Sequence, residues 1–424
     1  MAPAYNPPML RVLRDHPGFR RLWLAQVVSQ AGDWLNRIAV LALIGELGGA
    51  EAAAGVGALF GFELALRLVP GSLFGPFAGP AADRLPRRAV MIVTDLLRAG
   101  VVLGMLTIDR SEELPILYAL LLGQSTLAVF FNSARAGAVP STVSREDLHL
   151  ANALSSATWS IMLAVGTSLG GLLMLLLDLR GIFWLDAGSY LVSAALLGGL
   201  RLPPVGQHPE PFRWRDALLF VELRRGLTHA RAGGFAPALL AKTLWGPGGG
   251  YLVLLSVLAS TRFSGGDLAQ AGFATGMLYA ARGVGTGLGP ILGRRWFGER
   301  DRDLARQIAG GFAVAALGYA CVPFTDSLLT ACILVAIAHL GGASIWVGST
   351  TLWQRHAAHE FRGRVHALET LGMTLAFSLG GLLAGELFDL RNDADLVLWC
   401  VSGAVLLGGA AWAIAARGLL ASER

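Results

Sequence analysis

Charged residues are scarce in this sequence of 424 residues and make up only 15% of it. A soluble domain carries about 25% charged residues, so this composition excludes an ordinary water-exposed surface. Hydrophobic residues reach 54%, and the mean hydropathy is +0.57. At about 20 residues for each membrane span plus short turns, a chain of this length accommodates about twelve helices. The sequence therefore predicts an all-α membrane protein.

Lysine and cysteine are almost absent, and each shortage excludes a class of protein. Lys242 is the sole lysine, and alanines precede it where a phosphate-binding loop needs glycines. The chain thus lacks an ATP motor of that kind, and we predict no cofactor. The three cysteines lie inside apolar runs, which favours buried thiols over disulfides. They are Cys321, Cys332 and Cys400. The first 18 residues lack a compact apolar core, so we expect no cleaved signal peptide.

The apolar stretches form two sets of six on either side of a proline-rich linker. The first set lies at about 19–46, 52–80, 87–108, 114–134, 148–177 and 181–200. The second lies at about 234–260, 267–293, 304–325, 327–354, 363–388 and 394–416. Residues 214–231 mix leucines and arginines in a pattern typical of an amphipathic helix on a membrane surface. We therefore predict a six-helix bundle over 1–201, a cytoplasmic linker over 202–232 and a second six-helix bundle over 233–424.

The basic residues concentrate in alternate loops. With a cytoplasmic amino terminus, the inner segments hold 25 arginines and the outer loops hold only four. This bias is the positive-inside rule for twelve spans with both termini in the cytoplasm. The net charge of +5 and the pI near 9.5 then follow from membrane topology. We therefore predict that nucleic acid is not a partner.

Two glycine-rich patterns recur at about half the chain length. The glycines at 71, 75 and 79 recur 214 residues later, at 285, 289 and 293. The segment Ser168–Leu173 recurs 210 residues later as Ser378–Leu383. This duplication predicts two six-helix repeats of the same orientation around a central cavity near the membrane midplane. Rocking of one repeat over the other would expose that cavity to each side in turn.

A short charged turn joins the second and third apolar stretches at residues 79–88. It reads Gly-Pro-Ala-Ala-Asp-Arg-Leu-Pro-Arg-Arg. The turn resembles the signature loop of the major facilitator superfamily, Gly-x-x-x-Asp-Arg-x-Gly-Arg-Arg, with Pro86 in place of the family's glycine. Further segments resemble the branch that contains macrolide-efflux and enterobactin-exporter-like proteins of bacterial inner membranes. They lie at 19–22, 32–34, 95–99, 134–154 and 362–365. The resemblance covers essentially the whole chain and implies a multi-pass transporter.

The same resemblance implies that this turn is a cytoplasmic gate. In the inward-closed state Asp83 can face the amino end of helix eleven, where the helix dipole favours an anion. The arginines can meet carboxylates such as Asp95 or Glu360, and these pairs break when the cytoplasmic side opens. The alternative is a topogenic turn with unpaired arginines. The predicted gate residues are Gly79, Asp83, Arg84, Arg87, Arg88 and Asp95.

Ionisable residues inside the predicted spans are candidates for a proton and substrate pathway, because a charge at the bilayer centre costs about 2.5–3.5 kcal/mol. Asp33 and Arg37 share one helix face, and Glu63 and Arg67 repeat this spacing. One hypothesis is that Asp33, Glu63 or Glu369 carries a coupled proton. The other is that both pairs at this spacing are permanent and structural. The predicted pathway residues are Asp33, Arg37, Glu63, Arg67, Arg282 and Glu369.

Aromatic and histidine side chains give weaker signals. Tryptophans in or near the spans could stack on a flat substrate, although tryptophan more often packs between helices or marks the membrane interface. The predicted stacking residues are Trp34, Trp245 and Trp346. A cluster of His356, His359 and Glu360 matches neither zinc-protease helix pattern, so we predict no metal site.

These observations favour a secondary active transporter that works by alternating access. The preferred function is proton-coupled efflux of a small amphipathic or lipophilic compound, such as a drug or a siderophore. The alternative is a lipid or lysolipid flippase, or an uncoupled facilitator, on the same fold. An enzyme would need an acid, base or metal cluster at one membrane face or an added soluble domain, so we predict no enzyme. The predicted partners are a small-molecule substrate, protons and the lipid bilayer, and we expect a monomer because each chain holds both halves.

Overall fold

The computed structural model describes residues 8–48, 55–203, 219–298, 300–358 and 361–421. Every regular element in these ranges is a helix, which confirms the predicted all-α fold. Before the linker lie α1 (Pro8–Asp15), α2 (Pro17–Leu47), α3 (Val56–Arg84), α4 (Arg87–Met105), α5 (Leu114–Ala138), α6 (Leu148–Met174) and α7 (Leu179–Gly198). After it lie α8 (Leu219–Ala232), α9 (Ala236–Leu244), α10 (Gly249–Thr261), α11 (Leu268–Phe297), α12 (Asp301–Ala320), α13 (Leu328–His356), α14 (Arg362–Arg391), α15 (Ala394–Ala415) and α16 (Arg417–Ala421).

Eight of these helices are long and apolar enough to cross a membrane. They are α3, α5, α6, α7, α12, α13, α14 and α15. The long helices α2, α4 and α11 coincide with further predicted apolar stretches and include ionisable residues such as Asp33, Asp95 and Arg282. The structure is thus a multi-pass helical protein, whereas the count of twelve spans stays a prediction.

The predicted apolar helix over 234–260 is interrupted. A 3-10 turn at Gly246–Gly248 separates α9 from α10. Pro247 lies in this turn, where its missing N–H and its ring disfavour a continuous α-helix. Gly249 begins the next helix so close to α14 that a Cβ atom there would overlap the carbonyl oxygen of Phe377. The break therefore brings the backbones of α10 and α14 into contact.

The helices pack in two groups, with the linker between them in the sequence. Within the described residues, α2 to α7 pack mainly on one another and α9 to α15 do the same. The groups meet mainly where α3 runs along α14 and where α6 runs along α11. The predicted amphipathic segment begins outside the described residues and continues as α8, which packs on α14 with Gly226 against Arg364. The domain boundaries at 201 and 232 stay a prediction.

Both interfaces are tight toward the predicted outer end and open toward the predicted cytoplasmic end. On α3, a Cβ atom at Gly61 would lie 3.0 Å from the α14 backbone, whereas one at Gly75 would meet no described atom within 4 Å. On α11, a Cβ atom at Gly276 would lie 2.6 Å from the α6 backbone, whereas one at Gly287 would also meet no described atom. Both glycines of each pair lie on one face of their helix by spacing. The described conformation is therefore closed at one end and open at the other.

Candidate functional site

A cavity of about 730 Å³ opens among α2 to α6. Its walls combine polar, charged and aromatic side chains, a mixture typical of small-molecule sites. The lining residues include Gln26, Gln30, Asp33, Trp34, Arg37, Arg67, Arg98, Gln124, Asn132, Arg135, Asn152 and Trp159. Of the predicted pathway residues, Asp33, Arg37 and Arg67 thus line this cavity directly.

Asp33 lies at the centre of a hydrogen-bond network that joins four helices. Its Oδ1 atom accepts hydrogen bonds from Arg98 Nη2 and, at 2.5 Å, from the Tyr190 hydroxyl. Gln124 donates to the same hydroxyl at 3.0 Å. Arg98 also lies 3.5 Å from Asp95 Oδ1 and stacks 4.2 Å from the centre of the Tyr190 ring. The Asp33 side chain keeps 33% of its surface exposed, so this network reaches the cavity.

Asp186 on α7 is a buried acid that the sequence reasoning missed. It is 0% exposed, and its Oδ2 atom has no hydrogen-bond partner among the described residues. It lies against α2, because a Cβ atom at Gly32 would overlap Asp186 Oδ1. Asp186 therefore adjoins the Asp33 network. The signal was present, since an aspartate stood inside a predicted apolar stretch.

Glu63 has two arginine partners, and its helix spacing predicts only one of them. It accepts a hydrogen bond from Arg67, as the i,i+4 spacing predicts. Arg37 Nη2 lies 3.5 Å from the other carboxylate oxygen of Glu63. The pairing of Arg37 with Asp33, which one of the two hypotheses requires, is not seen in the described conformation, because Arg37 contacts Glu63 on α3 and Asp33 contacts Arg98 on α4.

Two arginines near the cavity have no carboxylate partner in the described part of the chain. Arg135 donates to Gln26 Oε1 at 2.7 Å, and its Nε atom lacks a hydrogen-bond partner. The Nε and Nη1 atoms of Arg282 also lack partners. The Arg282 guanidinium lies 5.7 Å from the centre of the Tyr279 ring. Arg37 lies 5.2 Å from the same ring, so residues of both helix groups meet there.

Glu369 pairs with the only lysine of the chain. Lys242 Nζ lies 3.0 Å from Glu369 Oε1, and both side chains are nearly excluded from solvent. The ammonium also donates to Thr350 at 2.7 Å and lies 4.4 Å from the Trp346 ring centre. Helical spacing offered Glu369 only His366 as a neighbour, whereas the partner seen here comes from α9. Neither member of the pair lines the described cavity.

The charged turn at 79–88 comprises the end of α3, a break at Leu85 and Pro86, and the start of α4. Arg87 and Arg88 donate hydrogen bonds to backbone carbonyls of α3, α5 and α7. Asp95 lies two turns into α4 and contacts Arg98 in the described conformation, and its pairing with the arginines of the turn in the inward-closed state stays a prediction. The other predicted gate positions are the Gly79 face, which is open here, and Arg84, the last residue of α3. The Asp83 side chain and Glu360 lie outside the described residues, and gating by this turn stays a prediction.

The tryptophans divide between the cavity and the helix packing. Trp34 lines the cavity together with Trp159, which the sequence reasoning missed. Their ring centres lie 6.2 Å apart at an interplanar angle of 66°, an edge-to-face contact. Trp245 is buried against Phe377. Of the three predicted stacking residues, Trp34 alone lines the described cavity.

Comparisons with known proteins agree on a family. The family model described as Major Facilitator Superfamily matches residues 22–300. The chain is 26% identical to the putative bacilysin exporter BacE of Bacillus amyloliquefaciens over 396 residues, which are 92% of this chain and 93% of that protein. It is 24% identical to macrolide efflux protein A of Streptococcus pyogenes over 392 residues, 88% of this chain and 89% of that protein.

Solved transporter structures share the fold. The bacterial homologue of the human lysosomal transporter Spinster, in an inward-facing and unoccupied conformation, matches with a TM-score of 0.70 at 15% identity. That match covers 95% of this chain and 98% of the other. The nucleoside transporter NupG matches with a TM-score of 0.68 at 12% identity and covers 95% of this chain and 100% of its own. The fold is therefore that of a membrane transporter.

Proposed function

Because the chain belongs to the Major Facilitator Superfamily, we propose that it is a proton-coupled exporter of a small amphipathic compound. Its family and its relatives are transporters, so the chain is a transporter and not an enzyme. The observation that carries the proposal is the network around Asp33, which joins a cavity-exposed carboxylate to buried acids. Efflux follows the functions that the two named relatives carry in their names.

Alternating access is the proposed mode of transport. The asymmetry of both interfaces supports it, since one end is sealed by close backbone contacts while the same helix faces lie apart at the other end. We propose twelve spans in two six-helix repeats, divided by the linker at 202–232, with both termini in the cytoplasm. In this orientation the described conformation faces the cytoplasm, and the turn at 79–88 closes the inner side in the opposite state.

The Asp33 network is the proposed proton site. Two carboxylates, Asp33 and Asp95, share the guanidinium of Arg98, and a third, Asp186, lies beside them against Gly32. Buried negative charge in excess of its counter-charge is costly, and a bound proton would offset it. Asp33 is the member that reaches the cavity, so protons can enter and leave there. Glu63 and Glu369 are each paired with a cation and serve as the alternative carriers.

The proposed substrate is an amphipathic molecule of drug size. The cavity volume of about 730 Å³ falls within the usual range for such ligands. Trp34 and Trp159 offer flat apolar surface, while amide and charged groups provide polar contacts. A drug or siderophore-like compound meets these requirements.

Proteoliposomes with an imposed pH gradient test the coupling. Purified protein is assayed for substrate-driven proton flux with an entrapped pH dye against a panel of drugs and siderophores. Asp33→Asn and Asp186→Asn should abolish the dependence of transport on the gradient, whereas Asp109→Asn removes an exposed acid paired with Arg180 and should preserve it. Glu63→Gln and Glu369→Gln examine the other two acids. Unchanged coupling in all four amide variants at Asp33, Asp186, Glu63 and Glu369 would refute the proposal, and gradient-independent movement would favour the facilitator or flippase.

A further inference from the structure

An excess of buried positive charge lies where the two groups of helices meet. Glu63, which is 1% exposed, contacts both Arg37 and Arg67. The Tyr279 ring then joins Arg37 to Arg282, whose guanidiniums lie 5.2 and 5.7 Å from its centre. Within the described residues this arginine cluster, Arg37, Arg67 and Arg282, contains three guanidiniums and contacts one carboxylate.

The cluster also has unused hydrogen-bond donors. Buried guanidinium nitrogens with no hydrogen-bond partner among the described atoms occur on all three arginines. They are Arg37 Nε, Arg67 Nη2, and Arg282 Nε and Nη1, together with Arg37 Nη2, which contacts Glu63 at 3.5 Å as an ion pair without hydrogen-bond geometry. Buried donors in proteins are almost always satisfied, and exceptions require an explanation. Oxygen atoms of a bound anion would supply both the missing acceptors and the missing negative charge.

Two of the three arginines of the cluster are accessible to a substrate from the cavity. Arg37 and Arg67 line the cavity and keep 11% and 15% of their side-chain surface exposed, whereas the glutamate between them is sealed. Trp34 lies beside this cluster, with its ring centre 5.9 Å from the Arg37 guanidinium. A planar carboxylate matches the forked geometry of guanidinium, and an aromatic wall next to it favours an organic anion over a simple ion.

We propose that the arginine cluster binds the carboxylate of an amphipathic organic anion and that this anion is the substrate class of the exporter. This inference rests on the proposed transport function and specifies its substrate. Arg37 and Arg67 hold the carboxylate from one helix group, and Arg282 holds it from the other. The apolar part of the molecule lies against Trp34 and Trp159.

Binding of a matched pair of probes tests this proposal. N-dansyl-phenylalanine and its carboxamide differ only in the anionic group, and fluorescence anisotropy follows their binding to the full-length protein in nanodiscs, with empty nanodiscs subtracted. We expect the carboxylate to bind at least about tenfold more tightly than the amide, because hydrogen bonds between charged groups are the stronger ones. Arg282→Gln should abolish this preference, whereas Arg282→Lys should retain part of it.

Arg180→Gln is the matched control, because it removes an exposed arginine at the predicted outer end and should preserve the preference. Thermal unfolding of each variant separates a lost site from a lost fold. Equal affinities for the two probes, no saturable binding of the carboxylate, or equal displacement by inorganic phosphate would each overturn the inference. Gradient-driven transport is measured on the same preparation. Coupled transport with no preference for the carboxylate probe would refute this inference alone. A preference for the carboxylate probe without coupled transport would refute only the proton-driven mechanism.

Discussion

Lys242 and Glu369 illustrate how buried charges stabilise this protein in pairs. Both side chains are nearly excluded from solvent, so each neutralises a charge that would otherwise be isolated. Lys242→Met leaves an uncompensated carboxylate and should lower the free energy of unfolding by about 3–5 kcal/mol. The double variant Lys242→Met/Glu369→Leu removes both charges and should recover most of that loss. Thermal unfolding in detergent across the double-mutant cycle measures this coupling.

The double variant also separates structure from transport. Because the proposed proton site is the Asp33 network, the variant without Lys242 and Glu369 should retain gradient-driven export. Loss of coupling in a folded double variant would move the proton site to Glu369. A double variant as unstable as Lys242→Met would show that the loss does not come from the uncompensated Glu369 carboxylate.

Sequence reasoning found most of these charged residues but mispaired them. Helix spacing places Asp33 and Arg37 on one face, yet Asp33 contacts Arg98 and Arg37 contacts Glu63. Partners across helices depend on how each helix is rotated about its axis. In a membrane that rotation is set by packing against neighbouring helices, and the helix's own sequence does not record it. The Asp186 charge was visible in the sequence, but its position beside Asp33 was not.

Among the elements, the amino end of α3 depends on a residue of the other helix group. Asp389 of α14 accepts hydrogen bonds from the backbone N–H groups of Gly57 and Ala58 at 2.8 and 2.7 Å. It thus caps α3 at the predicted outer end and joins the two groups there. Asp389 begins an Asp-Leu-Arg triplet that also occurs 211 residues earlier, where it begins at Asp178. Asp178 caps α7 within its own group by accepting from Gly181 at 2.8 Å. The same residue type therefore has a local role in one copy and a bridging role in the other.

Asp389→Ala should weaken the outer seal. Loss of a helix cap costs about 1 kcal/mol. Because this cap exists only in the described conformation, its loss should lower the population of that conformation relative to the opposite one about fivefold. A cysteine at Gly75, which faces open space here, reports this conformation through its labelling by a membrane-impermeant maleimide in inside-out vesicles. The native cysteines are first replaced. Labelling should fall in Asp389→Ala and stay unchanged in Asp178→Ala, and a fall of equal size in both variants would contradict a bridging role.

The positions of the helices were easier to predict from the sequence than the contacts between them. Apolar stretches and breaks located the helices, because length and hydropathy are local properties of the sequence. The turn at Gly246–Gly248 was missed, although Pro247 marks it, because the flanking stretch is apolar enough for one span. The bridging role of Asp389 could not be predicted, since it depends on which helices meet across the two groups.

At the scale of the whole molecule, the helix content followed from composition, and the transporter family followed from a resemblance carried by the charged turn and further segments. Other glycines, on the α6 side of α11, have a mechanical consequence. On α11 one glycine face is in close contact at Gly276 and open at Gly287. A rocking motion would exchange these states, because rigid helix groups that part at one end approach at the other. The glycine face of the helix is visible in the sequence, but which end of that face is closed is not.

Leucine at each end of this face should therefore have opposite effects. Gly276→Leu adds a side chain whose Cβ atom would stand 2.6 Å from Gly171 and Thr167 of α6, so it should oppose the outer seal and reduce maleimide labelling at the Gly75→Cys reporter. Gly287→Leu fits the described conformation and should leave labelling at or above the parent level. Because closure of the inner side would bring that side chain against α6, transport should fall in this variant too. Equal labelling in the two variants would contradict a rocking motion about this interface. If the molecule alternates between closure of its outer end and closure of its inner end, labelling should change in opposite directions in the two variants and transport should fall in both.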